Sequence, residues 1–256
     1  MSDEKPTQEF PAFLYRNFYG LRDNEAFNSH LDGLFDSLTR RRGFFAGDNL
    51  ITLGKTLGFL DDKVLMDAWR AHSLTHGEFG ALWRRVVLAW AARSALRLEG
   101  DFMECGCYRG SGARIVADIV DFANLDRRYY LYDLFDRDPE RPYHSMEAHG
   151  PDLFMQVQAR FKDFPNVIIT PGLVPETFKV AAPEKIAFMH LDLNNRDAEI
   201  AALEAMFDRI VPGGFLLLDD FGWIYYMDQL VAETHWFLKR GYRVLELPTG
   251  QGLVIK

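Results

Sequence analysis

The sequence predicts an α/β protein: a doubly wound, seven-stranded, mostly parallel sheet with one antiparallel strand, behind an N-terminal helical extension. Two observations predict it. From Asp101 onward, short apolar runs end in glycine or an acidic residue and are separated by helix-length segments, which is the pattern of a parallel sheet with crossover helices. Before that point the apolar residues recur at helical spacing instead. Phe27, Leu31, Leu34, Phe35 and Leu38 form one stripe, and Val64, Leu65, Ala68 and Trp69 form another behind the acidic start Asp61-Asp62. The expected division is a helical region over 1–98 and an α/β domain over 99–256.

Within the second region, strands are predicted at Asp101–Cys105, Tyr129–Tyr132, Val167–Thr170, Ile186–Leu191, Phe215–Leu218, Tyr242–Leu247 and Gly252–Ile255, with helices between the first six. Only Pro248-Thr249-Gly250 separates the last two, so they must form a hairpin and the final strand must run antiparallel. A parallel sheet with one such insertion is a Rossmann-like architecture.

Composition narrows the class further. A chain of 256 residues, 48% of them hydrophobic, can bury one substantial α/β core and a smaller attached element. The formal net charge of −8 argues against a nucleic-acid partner, since affinity for phosphates needs an excess of clustered Lys and Arg. The basic run Arg40-Arg41-Arg42 follows an apolar helical pattern and reads as a helix C-terminus. Met1 to Pro11 is polar without an apolar core, so no secretory signal is expected. Val86 to Leu98 is interrupted by Arg93 and Arg97 and is too short to span a bilayer. The two cysteines, Cys105 and Cys107, are spaced wrongly for a disulfide framework or a zinc knuckle. The expectation is a soluble protein of the reducing cytoplasm with no membrane partner.

The most informative local sequence is Glu104-Cys105-Gly106-Cys107-Tyr108-Arg109-Gly110-Ser111-Gly112, between the first strand and its helix. Glycines there let the backbone turn sharply and approach a ligand. The run is neither the dinucleotide fingerprint nor a phosphate loop. An acidic residue with glycine at +2 and +6 resembles the first motif of class I methyltransferases. S-adenosylmethionine carries an α-ammonium and a sulfonium and no phosphate, so Glu104 suits it and would disfavour a dinucleotide. Asp133, ending the second strand, is placed to accept both ribose hydroxyls of an adenosine, although a helix N-cap reading is also open. Gly172, after the third strand, is placed to line the adenine or simply to turn the chain. The candidate cofactor residues are Glu104, Gly106, Tyr108, Gly110, Ser111, Asp133 and Gly172.

Two further strands end in acids, Asp192 after the fourth and Asp219-Asp220 after the fifth, and these strands are adjacent in such a sheet. Two carboxylates about 4 Å apart repel by roughly 4 kcal/mol at an effective dielectric near 20, so the cluster calls for a counterion or a captured proton. Hard oxygen ligands without histidine or thiolate suit magnesium, manganese or calcium. Asp192, Asp219 and Asp220 are the candidate metal ligands.

Over roughly residues 85 to 225 the chain resembles the macrocin O-methyltransferase family, metal-dependent enzymes that methylate sugar hydroxyls of antibiotics and related natural products. The likeness rests on Gly100-Asp101-Phe102-Met103-Glu104-Cys105-Gly106 with Arg109-Gly110 after it, Asp133-Leu134-Phe135-Asp136, Leu191-Asp192, and Val211-Pro212-Gly213-Gly214-Phe215 running into Asp219-Asp220-Phe221-Gly222. The resemblance implies that 99–256 is a catalytic domain, that Asp192, Asp219 and Asp220 hold the metal, and that Asp133 binds the ribose. It implies S-adenosylmethionine and Mg2+ as cofactors and a small-molecule hydroxyl acceptor, with a glycosylated natural product as the family expectation. The chain departs from the family after Asp192, where Leu193-Asn194-Asn195-Arg196 replaces Gly-Asp and a Tyr, and at Phe221, where the family has Tyr.

No general base is singled out. Asn195 stands where catechol-type enzymes carry a lysine, which leaves Asp192, His144 and His149 as catalytic candidates. The long connection Asp136 to Asp152, rich in Pro, His and charge, is expected to act as a lid that orders on ligand binding. The N-terminal helices are expected to cap the acceptor pocket, seam a homo-oligomer or pack on the sheet. Two alternatives remain open: a metal-independent small-molecule methyltransferase, and a protein that binds S-adenosylmethionine without turnover.

Overall fold

In a computed structural model, which describes residues 12–38, 43–137 and 146–256, the chain divides into two compact units, Met1–Val86 and Val87–Lys256. The first unit is not purely helical. Helix α1 (Asn24–Ser37) starts where the Asp23 carboxylate accepts the Ala26 N–H at 2.9 Å, and it buries Leu31 among Phe27, Phe35 and Leu38 while Leu34 stays exposed. A small sheet joins it: β1 (Phe13–Leu14) pairs parallel with β2 (Phe45–Gly47), which turns back into β3 (Leu50–Thr52). The turn residues Asp48 and Asn49 have φ of 52° and 56°, the left-handed pair that a two-residue hairpin requires. Strands this short carry too few alternations to register against a helical period. Helix α2 (Lys63–His72) is capped by Asp62 and buries Leu65, Ala68 and Trp69, with Val64 outside; α3 (His76–Gly80) opens with a Thr75/Glu78 capping box. The run Arg40-Arg41-Arg42 lies outside the described residues.

Helix α4 (Leu82–Ala95) leads into the second unit. There the elements are β4 (Asp101–Cys105), α5 (Ser111–Ile119), β5 (Tyr129–Asp133), α6 (Leu153–Arg160), β6 (Val167–Pro171), β7 (Ile186–Leu191), α7 (Arg196–Met206), β8 (Ile210–Leu218), α8 (Met227–Lys239), β9 (Leu245–Glu246) and β10 (Gly252–Ile255). The sheet has seven strands in the order β6-β5-β4-β7-β8-β10-β9, and β10 alone runs against its neighbours. The order grows outward in both directions from β4, so the crevice for a ligand opens at the C-terminal ends of β4 and β7. Two expectations change. Between β6 and β7 a 3-10 turn (Glu176–Lys179) replaces the helix, because Pro175 and Pro183 bracket too short a stretch for an α-helix to recover its nucleation cost. The sixth strand shrinks to two residues at the exposed sheet edge. No helix among the described residues is long and apolar enough to cross a membrane.

Strand alternation sorts the two faces of the sheet. Met103, Cys105, Tyr132, Met189, Leu191 and Leu218 pack under Leu203 and Met206 of α7 and Trp236 and Phe237 of α8. On the other face Phe102 meets Tyr129 and Phe188 with ring centroids 5.9 and 5.3 Å apart, and Phe215 meets Trp90 of α4. Register places Glu104 beside His190 and His190 beside Leu217. Glu104, His190, Asp192, Asp219 and Asp133 thus fall on this second face or continue its alternation.

Gly106 ties β4 to β7. Its φ is +89°, and a Cβ there would lie 1.8 Å from the Asp192 carbonyl oxygen. Gly106→Ala therefore combines left-handed strain with a backbone clash and should cost at least about 2 kcal/mol. A thermal midpoint about 4–8 °C lower is expected, and an unchanged midpoint would show that this contact does not constrain the fold.

Candidate active site

The loop after β4 forms one wall. Gly106 and Cys107 both donate N–H to the Tyr132 carbonyl, at 2.8 and 3.2 Å, which closes the turn against β5. Tyr108 sits at φ 48° and its N–H donates to Asp133 Oδ2 at 2.7 Å. Asp133 Oδ1 accepts the Phe135 N–H at 2.8 Å. Gly110 then opens α5 without a side-chain cap, and the buried Ser111 hydroxyl has no hydrogen-bond partner among the described residues. An uncapped helix start beside an orphaned hydroxyl suits a ligand carboxylate. Gly172, at φ +131°, donates its N–H to the Asp133 carbonyl at 2.9 Å, so it borders the same crevice. Cys105 and Cys107 are buried thiols; burial first, and then nearby carboxylates including Glu104 and Asp133, push both well above the ordinary thiol range, so they stay neutral.

Behind this wall lies a row of buried polar groups. The Tyr129 hydroxyl donates to Glu104 Oε2 at 2.8 Å. The same oxygen lies 3.6 Å from His190 Nδ1, whose other nitrogen, Nε2, is 3.3 Å from Asp219 Oδ1. Gln251 donates to that Asp219 oxygen at 2.8 Å, and the Thr249 hydroxyl donates to the Gln251 carbonyl oxygen at 2.9 Å. Burial alone would pull the His190 pKa down, but the carboxylates of Asp219 and Glu104 outweigh it and push the pKa up to about 10. The two carboxylates thus favour the charged form of His190, which stands between them.

The acids that end β7 and β8 meet beside this row. One atom each from His190, Asp192 and Asp219 lies within 4.8 Å of the others. Asp192 and Asp219 are the oxygen donors for a hard cation that come together here, with His190 beside them, whereas Asp220, buried next to Asp219, is not part of this group. The donor set fits magnesium. Asp192 is held by Asn194, whose Nδ2 donates to Oδ1 at 3.2 Å; Asn194 adopts φ 53° and its own Oδ1 accepts the Tyr226 hydroxyl. Asn195 caps α7 by accepting the Ala198 N–H at 3.0 Å. Glu199, one turn on, accepts the Leu193 N–H at 3.0 Å and faces Glu233 of α8 in full burial. Burial, and next the charge of Glu233, hold Glu199 well above the ordinary carboxyl range, so it keeps its proton. Burial pushes Glu233 up to about 7 even though the Glu199 hydrogen bond pulls it down.

The two histidine candidates separate. His144 lies outside the described residues. His149 Nε2 lies 3.2 Å from Asp133 Oδ1, and its ring meets the Tyr108 ring at 5.1 Å, so it stands against the acid that ends β5, while the acid cluster stands at the ends of β7 and β8.

The model of the family described as macrocin O-methyltransferase matches residues 88–236. The chain belongs to the macrocin O-methyltransferase family. Among curated members, it is 30% identical to an 8-demethyl-8-(2,3-dimethoxy-alpha-L-rhamnosyl)-tetracenomycin-C 4'-O-methyltransferase of Streptomyces olivaceus, over 48% of this chain and 54% of that protein. It is 27% identical to a mycinamicin III 3''-O-methyltransferase of Micromonospora griseorubida, over 52% of this chain and 61% of that one. The chain thus matches a little over half the length of these curated relatives. In fold it is similar to the crystal structure of the calicheamicin methyltransferase CalS11, with a TM-score of 0.57 at 16% identity over 99% of each chain.

For this member of the macrocin O-methyltransferase family, sequence reasoning missed His190, Gln251, Glu199 and Asn194. His190 alone left a signal, a histidine inside an otherwise apolar strand.

Because the folded pKa of Glu233 is raised from the usual value of about 4.3, its contribution to stability is fully present below that value and is lost as pH rises through about 7. Glu233→Gln removes the penalty. In chemical denaturation with chelator present, the gain of the variant over wild type should be about 2 kcal/mol larger at pH 8 than at pH 5. Parallel stability profiles for the two proteins would contradict the buried carboxyl pair.

Proposed function

We propose that this protein transfers the methyl group of S-adenosylmethionine to a hydroxyl of a small-molecule acceptor, a sugar hydroxyl of a glycosylated natural product, with a divalent cation at Asp192, Asp219 and Asp220. The observation that carries the reading is the meeting of two sites on one sheet edge. An adenosine wall of Asp133, the Gly106–Gly110 loop and the open start of α5 faces an acid cluster on the two adjoining strands. Family membership supports the reaction, and the names of the relatives, 4'-O-methylation of a rhamnosyl-tetracenomycin and 3''-O-methylation of mycinamicin III, support the acceptor class.

In the reaction the acceptor oxygen bonds to the methyl carbon, the carbon–sulfur bond breaks with its electrons on sulfur, and the hydroxyl proton departs. When bound, the donor supplies an electrophilic methyl carbon and magnesium supplies a Lewis acid that lowers the hydroxyl pKa. Asp133 would accept from a ribose hydroxyl, and Ser111 with the α5 N-terminus would receive the methionyl carboxylate. Asp192, fixed by Asn194, is the candidate to take the proton, since His149 is committed to Asp133. His190 favours a second reading, metal-independent transfer, because its charge already offsets part of the acid cluster.

Calorimetric titration of S-adenosylhomocysteine and of magnesium separates these readings. Wild type and Asp219→Ala should bind S-adenosylhomocysteine, and Asp133→Ala should not. Asp219→Ala should lose the magnesium heat and at least about 100-fold in methylation of sugar acceptors. Activity that survives both chelation and Asp219→Ala would move the assignment to metal-independent transfer. No binding by wild type would end the methyltransferase reading.

A further inference from the structure

We propose that His149 is a positioning residue of the cofactor site. It holds the Asp133 carboxylate in the orientation that receives the ribose, and so governs affinity for the adenosine-bearing ligand and not the rate of transfer. The inference rests on the S-adenosylmethionine reading above.

The geometry points to an imidazole whose tautomer and direction are both fixed. His149 Nδ1 accepts the Met146 N–H at 2.7 Å, so in the neutral ring Nε2 carries the hydrogen and donates to Asp133 Oδ1 at 3.2 Å. Arg137 Nε donates to the His149 carbonyl at 3.2 Å, and the Gly150 N–H donates to the Phe135 carbonyl at 3.0 Å, which fastens the residue to the end of β5 from both sides. Tyr108 completes the clamp: its hydroxyl accepts the Ala148 N–H at 2.7 Å and its ring meets the imidazole at 62°. One short segment, Met146 to Gly150, thereby touches both Asp133 and Tyr108.

Asp133 gains rotational definition from this arrangement. Its two oxygens offer about four acceptor directions, and three are taken, by the Phe135 and Tyr108 backbone N–H groups and by His149. The two backbone donors belong to the loop after β4 and to the chain just past β5, so the imidazole is the one side-chain donor among these contacts and the one that substitution can remove. A carboxylate held in this way presents its remaining acceptor direction to an incoming hydroxyl without first losing rotamer freedom. The same logic makes second partners of metal-bound ligands matter for affinity without touching the metal.

The test uses the full chain and titrates S-adenosylhomocysteine into wild type, His149→Ala, His149→Gln, Asp133→Asn and the double variant Asp133→Asn/His149→Ala, with steady-state kinetics in S-adenosylmethionine alongside. His149→Ala should weaken binding and raise KM by about ten-fold with kcat within two-fold of wild type. His149→Gln keeps an N–H donor and should recover most of the loss. In the Asp133→Asn background the alanine substitution should cost less than about two-fold, because the carboxylate it orients has become an amide with one acceptor oxygen. Several results overturn the proposal: affinity unchanged in His149→Ala, affinity tightened as a competitor of the ribose would produce, a loss equally large in both backgrounds, or a fall in kcat at constant KM. Wild type that fails to bind S-adenosylhomocysteine overturns the parent reading as well, whereas binding by wild type with any of the four results above overturns this inference alone.

Discussion

The arrangement of the site depends on one buried cation, the His190 imidazolium between Glu104 and Asp219. A lone imidazolium in this fully buried position would shed its proton; two flanking carboxylates reverse that preference and push its pKa up to about 10. The dependence runs both ways. Removing the imidazole would leave two buried carboxylates facing each other, a defect of roughly 3–5 kcal/mol for a broken buried pair. Extended by the Tyr129 hydroxyl at one end and Gln251 at the other, the row crosses β5, β4, β7, β8 and the start of β10 just below the edge where ligands bind. The row runs obliquely on one face: Glu104 and His190 are register partners, Tyr129 lies two residues lower on β5, and Asp219 lies just past the end of β8. A slip of one residue in any register would drive that residue into the apolar layer under α7 and α8, so the polar row and the strand register enforce each other.

This pairing redistributes the charge of the crevice. Read in isolation, Glu104 is an acid available to the ammonium of the methyl donor. In the fold it is nearly fully buried and engaged by Tyr129 and His190, so its effect on a ligand is that of a fixed charge behind the wall. Within the row, two carboxylates and one imidazolium leave a single negative charge. The acids nearer the edge, Asp192, Asp220 and Asp133, then set the potential that a cationic ligand meets. Such a division, partly neutralised below and acidic above, reconciles a densely charged sheet edge with a stable core.

The strand ends were legible because a parallel sheet buried on both faces writes each strand as an unbroken apolar run, and the acid or glycine that ends the run marks the ligand edge. Asp101–Cys105, Ile186–Leu191 and Gly252–Ile255 have the bounds the sequence indicates. The partners of those acids were not legible, since Glu104, His190, Asp219 and Gln251 meet only through strand register between segments far apart in the chain. The Phe45–Thr52 hairpin was hidden for a different reason: its turn is Asp-Asn and its strands are three residues long, so neither the turn nor the alternation stands out. His149 illustrates a third limit. A histidine in a connection between strands advertises proton chemistry, but which acid it faces is decided by the path of the backbone, here back to β5.

The residues after Asp192, which differ from the family pattern, bear most directly on whether the chain is an enzyme or a bystander that kept the sheet. Each has acquired a structural role. Asn194 takes the left-handed backbone that a short polar side chain tolerates, then bridges Asp192 and the Tyr226 hydroxyl. Asn195 caps α7, and Glu199 on that helix receives the Leu193 N–H. A turn that had merely drifted after loss of function would have no reason to orient Asp192 from its side chain and pin the following amide from a buried carboxyl group. Keeping that carboxyl group protonated against Glu233 is itself costly, and the cost falls on the helix pair that frames the acid cluster. The turn after Asp192 therefore keeps that acid oriented, through Asn194 and the Tyr226 hydroxyl behind it.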